Sequence, residues 1–221
     1  MSAADWTAVV PVKSLGTAKS RLRGAVPAAR HEELALAMVL DTVTAVAACE
    51  QVGELVVVTD DPAVAAAVAG IGARIVADVP GGLNASLRFG ADVAVGHGRR
   101  RAALAGDLPA LRPAELGAVL LAAGDGRAYV VDAAGSGTVL LTAGPGCALD
   151  PRFGPGSATA HAASGAVALA GDCPGLRQDV DTAADLRTVL GLGAGDHTCA
   201  LLRDLGLTGC GSSRVPAGPH R

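Results

Sequence analysis

The sequence predicts an α/β fold with a mostly parallel sheet, and three observations carry that expectation. Short apolar, strand-like runs alternate with helical stretches along the chain, the pattern of a sheet covered on both faces. Half of the 221 residues are hydrophobic and only 18% are charged, enough apolar surface to offset the entropy of ordering the chain. Only 2% are aromatic, so the core must be built from Ala, Val and Leu, with slim helices packed closely on the sheet.

The elements follow in order. Thr7 to Val12 reads as a strand ending in a loop that turns at Gly16, and residues 30 to 49 read as a long helix from the near-helical spacing of Leu34, Met38 and later apolar positions. Leu55 to Thr59 is a second strand, stopped by Asp60 and Asp61; Pro62 sits at a favoured first helical position, and Arg74 to Ala77 is a third strand. A Gly-Gly-Leu-Asn turn at 81 to 84 leads to a helix from about Ala85, then to a strand at Arg101 to Ala105 that delivers Asp107 to its end. A helix from Pro113, paired strands at Ala128 to Asp132 and Val139 to Thr142, and a Gly- and Pro-rich loop from Gly144 to Gly156 come next. Strand Ala166 to Leu169, an extended segment Gln178 to Thr182, and helices from Ala183 and over His197 to Leu205 complete the pattern. One domain over residues 1–208 is the expectation at this length, with residues 209–221 a disordered tail.

Charge excludes several classes of function. With 18 basic and 21 acidic side chains the formal net charge is −3, so no basic field attracts a nucleic-acid backbone and no aromatic platform stacks bases. The apolar run from Ala63 to Ala73 ends at Arg74, short of the roughly 20 residues a membrane span requires. The N-terminus lacks the basic start of a secretory signal, and a cytoplasmic location is expected. Five cysteines without a CxxC pair indicate neither a zinc site nor a disulfide framework and read as reduced thiols.

Four constellations carry chemistry. Lys occurs only at 13 and 19, although Arg is frequent; both lysines lie in Val-Pro-Val-Lys-Ser-Leu-Gly-Thr-Ala-Lys-Ser, just past the first strand, where a compact ammonium suits several phosphate oxygens in turn. Two solvated loop lysines are the plain alternative. The segment from Gly16 to Ser20 imitates half of a phosphate-binding loop, but the first Gly is missing, and Gly70-Ile-Gly72 lacks the third Gly of a dinucleotide fingerprint. Asp107 follows a strand directly, and Asp179 and Asp181 alternate on an extended segment, so these two point the same way. Carboxylates so placed can hold Mg²⁺ while phosphate oxygens complete its shell; alternatively Asp107 serves a turn, and Asp181 or Thr182 caps the helix from Ala183. Gly82 and Asn84, in the 81 to 86 turn, offer amides to a base or ribose, or Asn84 is an ordinary cap. Finally, Gly154, Gly156 and Ser157 form a Gly-rich turn opening a short helix, which suits a small phosphate or carboxylate as well as it suits a turn with a cap. No histidine has a nucleophile or carboxylate partner at a recognisable spacing and no Gly-x-Ser-x-Gly elbow is present, which disfavours triad hydrolysis. Attack by an already ionised substrate phosphate on a nucleotide α-phosphate needs no such group.

Taken together and in order, Val10-Pro-Val-Lys-Ser-Leu-Gly-Thr-Ala-Lys-Ser-Arg-Leu22, Asp60-Asp-Pro62, Gly82-Leu-Asn-Ala85, Asp107-Leu-Pro-Ala-Leu111, Arg152-Phe-Gly-Pro-Gly-Ser157 and Asp179-Val-Asp-Thr182 resemble the phosphoenolpyruvate and 2-phospho-L-lactate guanylyltransferases of coenzyme F-420 biosynthesis. The resemblance runs from about residue 8 to 205. It implies the nucleotide-diphospho-sugar transferase fold, a Rossmann-like, GT-A-type three-layer sandwich. It also implies condensation of GTP with a small phosphorylated three-carbon acid, with pyrophosphate released and Mg²⁺ as cofactor. It further implies metal binding by Asp107, Asp179 and Asp181, acid binding by Thr138, Gly154 and Ser157, and nucleotide binding by Lys13, Lys19, Gly82 and Asn84, with Lys13, Lys19 and Asp107 acting in catalysis. The Ala-, Gly- and Arg-heavy composition suggests a GC-rich genome, and family members from such organisms look like phosphoenolpyruvate users, an association that favours that acid. Phospholactate, another acceptor on the same fold, and a non-catalytic scaffold for the downstream transferase stay open at this point.

Overall fold

A computed structural model describes residues 5–17, 26–93 and 100–207. Lys19 and the expected tail at 209–221 lie outside the described residues. The strands are β1 (Trp6–Pro11), β2 (Val52–Val58), β3 (Arg74–Val76), β4 (Arg100–Leu104), β5 (Arg127–Val131), β6 (Thr138–Ala143) and β7 (Val167–Ala168). The helices are α1 (His31–Ala47), α2 (Pro62–Ala69), α3 (Leu83–Val93), α4 (Pro113–Ala122), α5 (Ser157–Ala163), α6 (Pro174–Arg177), α7 (Ala183–Leu192) and α8 (Asp196–Asp204).

The strands form one sheet in the order β3-β2-β1-β4-β6-β5-β7. Every neighbouring pair is parallel except those involving β6, which runs antiparallel to β4 and β5. The exception has a local cause. Asp132 accepts the Ser136 and Gly137 amides at 2.9 and 2.8 Å, and Gly135 takes a φ of 75°, so the chain reverses in a tight turn and returns beside β5.

Alternation of side chains along the strands builds the layers. Ala8, Val10, Leu55 and Val57 join one core with Val39, Val43, Val64, Leu116 and Leu120 from α1, α2 and α4. Val9, Val56 and Val58 join the opposite core with Leu87 and Ala91 of α3 and Ala158 of α5. A Cβ at Gly90 would sit 2.6 Å from Val58 and 2.7 Å from Val9, so only a bare backbone lets α3 lie this close to the sheet. Helix α1 is apolar nearly all round because it is covered twice. Its outer face, with Leu34, Ala37 and Met38, packs on Leu186, Val189, Leu201 and Leu202 of α7 and α8. Asp41 fastens that layer by accepting the His197 and Thr198 amides at the start of α8, both at 2.9 Å.

Some sequence expectations shift. Strand β7 is two residues long rather than four, α6 is an unpredicted single turn, and the segment from 178 to 182, expected to be extended, bends at 181 and 182 before α7. Cys49, Cys147 and Cys173 are free thiols, whereas Cys199 is disulfide-bonded; spacing reveals chelating pairs but not cysteines that folding brings together.

Candidate active site

The C-terminal ends of β1, β4 and β5 and the N-terminal end of the antiparallel β6 lie along one edge of the sheet, and they border a cleft of about 690 Å³. Lys13, Asp107, Asp132, Thr138, Gly154, Ser157, Asp179 and Asp181 line it. Seven of the ten residues singled out in the sequence therefore meet in one place, with Asp132 added. Gly82 and Asn84 are not among the lining residues, although their neighbours Leu83 and Leu87 are.

Lys13 leaves the end of β1. Its ammonium donates to Asp78 Oδ2 at 2.5 Å and to Ser86 Oγ at 2.9 Å, and Ser86 Oγ in turn donates to Asp78 Oδ1. Burial alone would raise the Asp78 carboxyl, but the Lys13 and Ser86 hydrogen bonds outweigh it and hold the group below its usual range. The two acids closing β2 organise the neighbouring loops. Asp61 accepts the Leu15 amide at 2.9 Å while capping α2, and Asp60 accepts the Asp78 amide at 2.9 Å.

Four carboxylates, Asp107, Asp132, Asp179 and Asp181, line the same cleft. The buried Thr42 hydroxyl on α1 accepts the Leu108 amide at 2.9 Å and donates to Met38 O at 2.8 Å, which fixes the turn carrying Asp107. The Val180 amide donates to Asp107 O at 3.2 Å, and the Ala133 amide to Arg177 O at 2.8 Å, so the segment bearing Asp179 is tied to both neighbouring turns. The capping question of the sequence resolves at Thr182, which forms a reciprocal box with Asp185 at the start of α7. Burial pushes Asp179 up to about 6, and Asp107, Asp181 and Asp132 add to the effect. A half-buried carboxylate crowded by three others favours the protonated state or a bound cation.

The third group is the 150 to 157 loop. Gly154 and Gly156 take φ values of 133° and 71°, backbone that L side chains avoid, and these bends bring Ser157 to the cleft at the start of α5. The Ala158 amide donates to Ser136 O at 3.2 Å, joining this loop to the turn that precedes Thr138. Asn84 has a different place from the one its turn suggests. Its Nδ2 donates to Phe153 O at 3.0 Å and its Oδ1 accepts the Phe153 amide at 2.7 Å, so both ends of the side chain are engaged with the loop rather than turned to the cleft. Gly82 has a φ of 82° and accepts the Ser86 amide through its carbonyl at 3.1 Å.

Sequence reading passed over Asp78, Asp132 and Thr42. Asp132 ends a predicted strand, the same signal that singled out Asp107, whereas Asp78 and Thr42 carry no local mark and are joined to the site only by contacts spanning 65 and 66 positions.

Comparisons with known proteins bear on the family and the fold. The profile of the family described as guanylyl transferase CofC like matches residues 6–216. A protein of Salinispora arenicola named phosphoenolpyruvate guanylyltransferase is 57% identical over 217 residues, covering 96% of this chain and 97% of its own. Proteins of the same name from Geodermatophilus obscurus and Streptomyces coelicolor are 54% and 51% identical, over 89% and 93% of this chain and 94% and 99% of theirs. Among solved structures, a Desulfovibrio desulfuricans protein described as a nucleotide-diphospho-sugar transferase superimposes with a TM-score of 0.67 at 18% identity, covering 91% of this chain and 95% of its own. A nucleotidyl transferase from Methanothermobacter superimposes with a TM-score of 0.55 at 22% identity, covering 85% and 97%. These two likenesses bear on the fold, which is that of the nucleotide-diphospho-sugar transferases, and the sequence matches bear on the family: this chain belongs to the guanylyl transferase CofC-like family.

Proposed function

We propose that the protein condenses GTP with phosphoenolpyruvate to give enolpyruvyl-diphospho-5′-guanosine and pyrophosphate, the guanylyl-transfer step that the family resemblance assigns to coenzyme F-420 biosynthesis. The observation that carries this reading is the cleft itself. Its lining brings together the Lys13 ammonium, the carboxylates of Asp107, Asp132, Asp179 and Asp181, and a Gly-rich turn whose Ser157 hydroxyl joins that of Thr138, which suits two phosphorylated substrates meeting among them. Relatives named for phosphoenolpyruvate at 57%, 54% and 51% identity favour that acid over phospholactate.

In the reaction an oxygen of the acid's phosphate forms a bond to the α-phosphorus of GTP, and the bond from that phosphorus to the bridging oxygen of the β-phosphate breaks. The nucleophile is already ionised, so the protein has to position and to offset charge. Lys13, held at the cleft by Asp78 and Ser86, contacts phosphate, with Lys19 assigned a like role. Thr138 and Ser157 donate hydrogen bonds to the acid, and Gly154 lets the loop backbone approach it.

The donor set fits Mg²⁺. Asp107, Asp179 and Asp181 are hard oxygen donors, and Asp179 is pushed up to about 6 by burial and by its acidic neighbours, a strain that a cation relieves. Among the described residues no three acidic, His or Cys groups form a ready-made cage, which suits an ion taking one or two carboxylates and filling its shell with phosphate oxygens and water. When bound, Mg²⁺ would neutralise charge on the nucleotide phosphates.

The test is pyrophosphate release from GTP and Mg²⁺ with phosphoenolpyruvate, phospholactate or phosphoglycerate in parallel. Release with phosphoenolpyruvate at the highest kcat/KM is expected; no release with any of the three overturns the reading. Asp107→Asn should abolish turnover, whereas a scaffold for the downstream transferase would have no turnover to lose.

A further inference from the structure

Behind the 150 to 157 loop lies a histidine to which neither the motifs nor the family resemblance gives a part. His161 stands one helical turn after Ser157 on α5, so the two side chains share a face, and its ring is fully buried. Nδ1 is 2.9 Å from Thr138 Oγ1 and Nε2 is 3.0 Å from the Arg152 amide nitrogen. The Phe153 ring meets the imidazole edge-on at 5.3 Å, and Tyr129 covers it at 5.9 Å. One side chain thus touches both segments that form the Thr138, Gly154 and Ser157 wall.

The contact with Arg152 decides the tautomer. A backbone amide only donates, so Nε2 must present its lone pair, and the proton of the neutral ring sits on Nδ1. Nδ1 then donates to Thr138 Oγ1, and the hydroxyl hydrogen of Thr138 has to point elsewhere. Thr138 lines the cleft, and among the described residues its hydroxyl makes no other hydrogen bond. Protonation of the ring would set a second N–H against the Arg152 amide. Burial holds the imidazole below its usual range; Asp150 opposes that, and the Arg152 and Arg127 guanidiniums reinforce it.

We propose that His161 is a positioning residue for the acid substrate: its Nδ1–H tautomer turns the Thr138 hydroxyl into a donor aimed at the bound anion and pins the loop that carries Gly154 and Ser157. The inference rests on the reading of that wall as the acid site.

Two measurements test it. Nitrogen-15 NMR of the intact protein at pH 7 should show a neutral His161 with a protonated Nδ1 and an unprotonated Nε2. Steady-state kinetics should show Thr138→Val and His161→Ala each raising the KM for phosphoenolpyruvate about tenfold, the loss of one charge-assisted hydrogen bond, with the KM for GTP changed less than about twofold. His161→Asn, which restores a donor at the Nδ1 position, should recover part of the loss. Neither the spectrum nor Thr138→Val depends on a histidine variant that folds. If Thr138→Val leaves the phosphoenolpyruvate KM unchanged, the acid-site reading fails and the inference with it. If Thr138→Val raises that KM while the His161 variants do not, or raise both KM values alike, or if the proton lies on Nε2, the inference alone is overturned.

Discussion

The Lys13 ammonium reaches across 65 positions of sequence to lie 2.5 Å from Asp78 Oδ2, with side-chain exposures of 43% and 15%. So exposed a pair adds little to stability, but it holds a cation at the lip of the cleft. Lys13→Ala should raise the KM for GTP by about tenfold or more, the loss of one charge-assisted contact, and Asp78→Asn by a smaller factor. The double variant should be no worse than Lys13→Ala alone. Tighter GTP binding by Asp78→Asn would instead show that Asp78 competes with phosphate for the lysine.

Asn84 discriminates between a clasp and a nucleotide contact. Both of its amide ends bond the Phe153 backbone, so Asn84→Ala should destabilise the protein by about 1–3 kcal/mol and weaken the acid substrate while sparing GTP. A selective rise in the KM for GTP would restore the guanosine role that the turn suggests.

Asp179 should trade stability for function. Its folded pKa is raised to about 6, so its contribution to stability is fully present below the ordinary carboxylate pKa near 4 and is lost as pH rises through 6. Metal-free Asp179→Asn should therefore melt above the wild type at pH 7.5, by a margin that shrinks as pH falls from about 6 towards about 4, while its turnover is abolished. Equal melting temperatures across that range, measured by calorimetry in chelator, would contradict the crowding of the four carboxylates.

Thr42 should matter to catalysis from a distance. Thr42→Val leaves the buried Leu108 amide without its acceptor, at a cost of about 1–3 kcal/mol, and loosens the turn that carries Asp107. A lower kcat is expected, with rescue by Thr42→Ser, which keeps the hydroxyl. Thermal melts and initial rates on the two variants check both halves.

The sequence alone determined the α/β class, nearly every strand and helix, and the ends of strands at which a ligand would bind. These follow from local pattern, because apolar period and turn chemistry act over a few residues. Ordered motifs singled out Lys13, Asp107, Asp179 and Ser157 as candidates for one site, and all four line the same cleft. Folding decided how they are held. The reversal that places β6 between β4 and β5 brings Thr138 to the same edge as Asp107, and the contacts of Lys13 with Asp78, Asn84 with Phe153 and Thr42 with Leu108 span 65, 69 and 66 positions. Such pairs leave no local mark, since hydrogen bonding and burial act through space, and the partner of a polar group is known only once the backbone has brought it within reach.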